Sequence, residues 1–373
     1  MRTQLTVLLA VLLAVSAIGP AAVTAGAATG TTVQESAAQC EYPLTISDAT
    51  GENVTIESEP QSVVTLYPGD AQLAYSIGAE GKVVGMPVSK YTESLEAGDR
   101  TDITTDDGVT PVAEKIVSLN PDVVLAANIA MYNQDLLDTL ENAGITVVVL
   151  DTANSFDDVR ENVRVTGEVM GHCAGAEETI QWMNERLEVF ENALENESKP
   201  LAYYASGPGG STFGSKTFQH DVLTTAGLTN LAASTGQTSW VQMNTEVIVN
   251  EDPKWIIYPD KEQWTSPPMA DSLQATTAMQ EGNTVAVNDN AMSQPGPNVV
   301  YAIEEIVKQV HPEVYAEIEA DLEAVDETYS DEGNSTSNES ADDSSTENAI
   351  PGFSVPAATV ALLAATGFVA RRR

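Results

Sequence analysis

The chain has 373 residues, and its 55 acidic side chains outnumber 16 basic ones for a formal net charge of −39. A surface of that sign repels nucleic acid and anionic lipid, which excludes a basic nucleic-acid groove and a polybasic membrane patch. Two cysteines and three histidines are too few for a cysteine-rich metal cluster.

Residues 1–27 read as a secretory signal peptide. Arg2 precedes an apolar run over 8–18, and Ala25-Gly26-Ala27 supplies a small-residue cleavage site. This segment and the last one (351–373) hold four bases and no acid. Residues 28–352 therefore carry 12 bases against 55 acids, a net of −43. Cys40 and Cys173 are an even pair in an exported chain, which predicts a disulfide between them. The alternative is lipidation of Cys40, although Ala37-Ala38-Gln39 before it is not a lipobox.

A first unit spans 28–152. Val63-Val64-Thr65-Leu66 predicts a buried strand, Tyr67-Pro68-Gly69 a turn, 70–77 a helix and 82–85 a second strand. Glu114 stands seven residues before Pro121 and the strand in "DVVLAA"; "AGITVVVLD" (143–151) adds a glycine turn and another strand. Residues 153–198 are helical. Ser155 is a cap before Val159, Val163 and Met170, and 176–195 place Ile180, Met183, Leu187, Phe190 and Leu194 on one stripe. The second unit, 199–325, repeats the first: strand 201–205, loop 206–215, helix 217–226, and Glu246 seven residues before Pro253 and "KWIIYP". It closes with "EGNTVAVND" (281–289). Strands alternating with helices in this way predict an α/β fold: two Rossmann-like lobes with parallel sheets, joined by a long linking helix. Such lobes leave a ligand cleft between them, beyond the strand C-termini.

Residues 326–350 contain eight acids and no base among many Ser, Thr and Asn, the composition of a disordered spacer. In 351–373 an uncharged run over 353–370 precedes three arginines. As a helix it would be about 27 Å long, close to a ~30 Å bilayer core. The arginines belong inside, so everything between the termini lies outside the cell, held at its membrane through the C-terminus. Pro351-Gly352-Phe353, the apolar stretch and the basic end resemble the PGF-CTERM sorting signals of archaeal surface proteins. That resemblance implies removal of the tail and a lipid anchor. The acid excess with only eight lysines resembles the carboxylate surfaces of halophilic proteins.

The catalytic inventory is thin. His172, His220 and His311 have no second histidine at metal-ligand spacing, and there is no Gly-x-Ser-x-Gly elbow. "GGSTFGSKT" (209–217) misses a phosphate-binding loop by one residue, because Ser215 separates Gly214 from Lys216. This stretch reads instead as a cleft wall whose glycines let backbone approach a ligand. A binding protein without enzymatic activity or a resident cofactor is expected.

The phrases "PQSVVTLYPGDAQLAYSIGAEGKVVGMPVSKYTE" and "VAEKIVSLNPDVVLA", the helical link and the repeated lobes resemble the class of ABC-importer binding proteins that carry vitamin B12, ferric siderophores and haem. The resemblance covers 44–322, and "WVQMNTEVIVNEDP" is most similar to the vitamin B12-binding members. It implies a monomer that captures a small molecule and delivers it to a membrane permease and its ATPase subunits. Glu114 and Glu246 would dock to permease arginines, and Tyr91 and Trp240 would line the cleft. Tyr67, in the first strand-to-helix turn, faces the same cleft, and Met292 and Trp264 are further candidates. Aromatic walls with few charges favour a corrinoid (cobalamin). A ferric siderophore, or haem on Tyr67, Tyr91 or Tyr204, is the alternative, and a carbohydrate- or partner-binding surface module is an alternative of another class.

Overall fold

The computed structural model describes residues 39–261 and 263–332. The signal segment, the tail and the spacer from 333 onward lie outside this range. Among the described residues no helix is long and apolar enough to cross a membrane.

A short antiparallel hairpin, β1 (Leu44–Ser47) and β2 (Asn53–Ile56), opens the first lobe. The chain then alternates: β3 (Val63–Thr65), α1 (Pro68–Ser76), β4 (Val83–Met86), β5 (Thr101–Asp102), α2 (Ala113–Leu119), β6 (Val123–Ala126), α3 (Gln134–Asn142) and β7 (Thr146–Val149). The sheet order is β5-β4-β3-β6-β7 and every pairing is parallel. All three residues of β3 are buried, as expected of a parallel strand covered on both faces.

Two long helices follow, α4 (Phe156–Met170) and α5 (Cys173–Leu194). The Ser155 hydroxyl accepts the Asp158 N–H as the cap, and Gly171 ends α4 in the left-handed region. All five stripe residues of α5, from Ile180 to Leu194, are buried. Burial of each such side chain is worth about 1.5–3 kcal/mol. The helix spans the two lobes. Thr179 Oγ1 donates to the carbonyl of Ser76 at 2.7 Å, and a Cβ on Gly175 would lie 2.1 Å from the Ile77 oxygen, so only glycine allows this approach to the first lobe. At the other end Leu194 lies against Gly227 of the second lobe.

That lobe contains β8 (Leu201–Tyr204), β9 (Ser211–Phe213), α6 (Phe218–Thr225), β10 (Thr229–Asn230), α7 (Leu231–Ser234), β11 (Trp240–Gln242) and α8 (Thr245–Glu251). It continues through β12 (Trp255–Pro259), α9 (Thr277–Glu281), β13 (Thr284–Val287), α10 (Asp289–Ser293), α11 (Val299–Val310) and α12 (Pro312–Glu332). Its parallel sheet has the order β10-β8-β12-β13. Strand β9, inside the segment expected to be loop, pairs with β11 in a separate antiparallel ribbon. The principal core runs without a break from the first lobe (Leu73, Met86) through α4 and α5 (Val163, Met183) into the second (Val222, Ile303). One smaller core covers the other face of each sheet.

The disulfide forms as expected: Cys40 and Cys173 are bonded, with Cα atoms 5.5 Å apart, pinning the N-terminal segment to the start of α5. The Tyr42 hydroxyl supports it by donating to the Glu168 carbonyl at 2.7 Å. One boundary differs. Composition begins a disordered spacer at 326, but α12 continues to Glu332. Asp326 accepts the Trp182 indole N–H at 2.8 Å and pairs with Arg186, and Tyr329 is buried. Arg186 itself is 1% exposed, bonded also to Glu304 and set against the rings of Trp182 and Tyr301. One buried guanidinium thus neutralises Glu304 of α11 together with Asp326, the first acid of a segment whose acid content alone suggests solvation.

Candidate functional site

In each parallel sheet the chain reverses its direction of strand addition at one place, where a crevice opens beyond the strand C-termini. In the first lobe this point lies between β3 and β6, and in the second between β8 and β12.

The turn after β3 is Tyr67-Pro68-Gly69, with Pro68 at the first position of α1, where a missing N–H costs nothing. Asp70 in the same turn is 1% exposed. Its carboxylate accepts the N–H of Tyr67 and, across the crevice, the N–H of Ala127 after β6, each at 3.0 Å. Burial pushes this acid up to about 7 against the opposing effect of these backbone donors. Asp70 therefore ties together the two turns that form the crevice. Tyr67 is half-buried against the outer core of its lobe. Tyr91 lies on the loop after β4, partly buried, with the Lys90 ammonium 5.0 Å from its ring centroid.

The lobes meet at this level. Gln72 Nε2 donates to Gln294 Oε1 at 2.9 Å and to the Tyr91 carbonyl at 3.4 Å. Gly69 also faces the Gln294 side chain. Gln294 follows α10, at the C-terminal end of β13, so the C-terminal ends of both sheets converge on one another. This contact joins the two lobes at that end.

In the second lobe the β9–β11 ribbon stands beyond β8. Trp240 pairs with Phe213 in the ribbon and is 56% exposed. Phe213 in turn packs 6.0 Å from the Tyr204 ring. Two glycines of this region, Gly210 and Gly214, serve backbone–backbone approach within the protein. A Cβ on Gly210 would lie 2.1 Å from the Met243 oxygen, and one on Gly214 would lie 2.3 Å from the Gln237 carbonyl. Lys216 donates its N–H to Thr238 at 2.9 Å, which makes this stretch part of the ribbon's support.

Two further expectations change. Met292 is not on a cleft loop: it is 1% exposed on α10 and packs in the principal core, while its carbonyl accepts from Gln219. Tyr204 is 3% exposed and packs in the principal core, so its ring does not face a ligand; burial raises its phenol above the ordinary value. Trp264 is partly buried against the second lobe's outer core, with Lys261 5.0 Å from its ring. The reading from sequence missed Tyr132, which is 88% exposed in the turn after β6, beside the first switch point. Its signal was present as an aromatic between "DVVLAA" and the following helix.

Glu114 and Glu246 occupy matched positions. Each is the second residue of a seven-residue helix, α2 or α8, and each is exposed. Each helix ends on a left-handed residue, Asn120 (φ 45°) or Asp252 (φ 49°), immediately before a proline. The internal repeat seen in sequence is thus a repeat of backbone geometry, and both carboxylates stand at helix N-termini, where negative charge is favoured.

Comparison with known proteins agrees with this architecture. A family model described as periplasmic binding protein matches residues 63–289. A cobalamin-binding protein of Halobacterium salinarum is 34% identical over 282 residues, covering 73% of this chain and 75% of that protein. The molybdate periplasmic binding protein MolA of Haemophilus influenzae superposes with a TM-score of 0.62 at 18% identity, over 79% of this chain and 99% of that one. The vitamin B12 binding protein BtuF of Vibrio cholerae does so with a TM-score of 0.56 at 19% identity, over 67% and 96%. At these identities the superpositions bear on the fold. The family and sequence matches go further: the chain belongs to the periplasmic binding protein family, a family of non-enzymatic transport components.

Proposed function

We propose that this protein is the substrate-binding component of an ABC importer, working outside the cytoplasm, and that its cargo is a corrinoid. The observation that carries the reading is the set of aromatic side chains at the converging sheet ends: Tyr67, Tyr91 and Tyr132 from one lobe and the exposed Trp240 from the other. A large, flat-faced macrocycle gains most from such walls, because ring faces supply area at little conformational cost. The cobalamin-binding relative supports the same cargo. A siderophore with several anionic groups would favour an arginine fork. Arg100, in the loop after β4, is instead committed to the carbonyls of Glu80, Glu96 and Ala97.

In this scheme the ligand settles above the Gln72–Gln294 contact. The uninterrupted core through α4 and α5 resists hinge bending, so the lobes stay close to one arrangement. Release then requires the membrane partner to spread them, with Glu114 and Glu246 as the charged contacts to the permease. The setting on the extracellular face of the cell membrane and the C-terminal anchor rest on the export and tail signals in residues 1–27 and 351–373.

The test is direct. Purified protein is incubated separately with cyanocobalamin, haemin and a ferric hydroxamate siderophore, freed of excess ligand, and read by ultraviolet–visible absorption. Retention of the corrinoid spectrum at one equivalent is expected. Retention of haem or siderophore instead would replace the cargo, and retention of none would overturn the reading.

A further inference from the structure

Most of the large apolar side chains that remain exposed among the described residues stand on loops, turns or helix starts that follow a strand, and Val117 stands on α2. Tyr132 and Trp240 edge the cleft. Met131 (38% exposed) lies beside Tyr132, and the remaining four are valines on other segments. Val88 (42% exposed), Val109 (38%) and Val117 (37%) belong to the first lobe, and Val247 (40%) to the second.

Val109 is held out on a rigid turn. Within residues 105–110 the Asp107 carboxylate accepts the Thr105 hydroxyl at 2.7 Å, the N–H groups of Val109 and Thr110 at 2.9 and 2.8 Å, and the Thr110 hydroxyl at 2.6 Å. These bonds lower the acid's pKa, which marks them as made to the ionised form. Thr105 N–H also donates to the Thr110 carbonyl at 2.9 Å, and Thr104 bridges to Pro111. Gly108 takes φ +69°, and a Cβ there would meet the Ser89 side chain at 2.6 Å. The turn is thereby packed against the loop that presents Val88. It is continuous with α2, whose Lys115 ammonium donates to the Thr104 carbonyl at 2.5 Å. On α2, Glu114 and Val117 are three residues apart and so share a face. Nothing in the fold requires valine at 88 or 109, and a preorganised turn presenting an apolar side chain loses little entropy when a partner covers it.

We propose that Val88, Val109 and Val117 form, with Glu114, an apolar anchor for the outer face of the importer's permease, and that the second lobe is held mainly by charge. Its matched helix α8 carries only Val247 beside Glu246 and is entered directly from β11, with no equivalent turn. The inference rests on the importer reading. Charge argues for this occupant: a second copy of a body with net charge −43 repels the first, and anionic lipid is repelled in the same way. A permease surface that combines apolar and basic side chains fits both the valines and Glu114. The consequence is tolerance of salt. At 1 M the screening length falls to ~3 Å and weakens the carboxylate contacts, whereas apolar burial is not screened.

The experiment compares cyanocobalamin uptake by cells producing the native chain, Val88→Asn/Val109→Asn, Val247→Asn, or Glu114→Ala/Glu246→Ala, at 0.1 and 1 M salt. Affinity of the purified proteins for cyanocobalamin and their sedimentation are measured in parallel. The double valine variant should bind cyanocobalamin normally and remain monomeric. Its apparent KM for uptake should rise about tenfold, the loss expected for a small apolar hot spot, and the defect should deepen at 1 M. Val247→Asn should change KM less than about threefold. Uptake by the double valine variant equal to native at both salts would overturn the anchor while leaving the importer reading intact. A native dimer dissolved by the substitutions would overturn it in favour of self-association. Uptake unchanged by deletion of the whole chain would overturn the importer reading itself.

Discussion

Trp240→Ala isolates the cleft from the fold. A tryptophan side chain offers up to about 250 Å² of burial, and Trp240 is 56% exposed, so on the order of 140 Å² remains for a ligand to cover. At ~25 cal/mol per Å² complete coverage would contribute about 3.5 kcal/mol. A flat ligand covers one face of the indole, which leaves roughly 1.5–2 kcal/mol, or a 10- to 30-fold weaker Kd after truncation. The cost to folding should stay within about 0.5 kcal/mol, because the indole is largely in water and the β9–β11 pairing is backbone. Isothermal titration with cyanocobalamin, alongside thermal melts, reads both quantities. Trp240→Phe should recover part of the affinity. An unchanged Kd with an unchanged melt would refute the stacking argument and move the ligand away from the ribbon.

Other perturbations reach the framework. Arg186→Met leaves Glu304 and Asp326 without their buried cation and should cost about 3–5 kcal/mol in denaturant titration; a loss below about 1 kcal/mol would mean those carboxylates hydrate freely. Replacing Cys40 and Cys173 by serine opens a cross-link spanning 133 residues, for which chain entropy sets a stability loss of up to about 5 kcal/mol. Cyanocobalamin affinity of the folded variant should not change, since the bond lies away from the cleft. Asp70 carries a sign that pH can test. Its folded pKa of about 7 lies above the unfolded value near 4, so between those values the folded state binds the extra proton and stability falls as pH rises. The contribution is present below about pH 4 and lost through pH 7. Stability of Asp70→Asn minus that of the native chain should therefore grow across this window, and parallel pH–stability curves would show that Asp70 titrates normally.

The alternation of strands and helices was legible because parallel strands buried on both faces read as unbroken apolar runs, such as Val63 to Leu66 and "DVVLAA". The repeat of Glu114 and Glu246 was legible from spacing alone, since a seven-residue helix closed before a proline leaves a fixed interval. The β9–β11 ribbon was not, because its three-residue strands fall among glycines and serines whose pairing partner is remote in sequence. Met292 misled for a related reason. Polar neighbours suggested a loop, yet a one-turn helix turns the thioether inward to fill the core under α10.

The sequence by itself determined the class of fold, the paired lobes, the amphipathic link and the pairing of Cys40 with Cys173, because each follows from local periodicity or from the only available partner. Tertiary structure decided which aromatics remain exposed, how Asp70 joins two turns 57 residues apart, where α12 ends, and that the turn presenting Val109 packs against the loop presenting Val88. These are outcomes of long-range packing. Whether a side chain is buried, neutralised or left in water depends on neighbours that local composition does not specify.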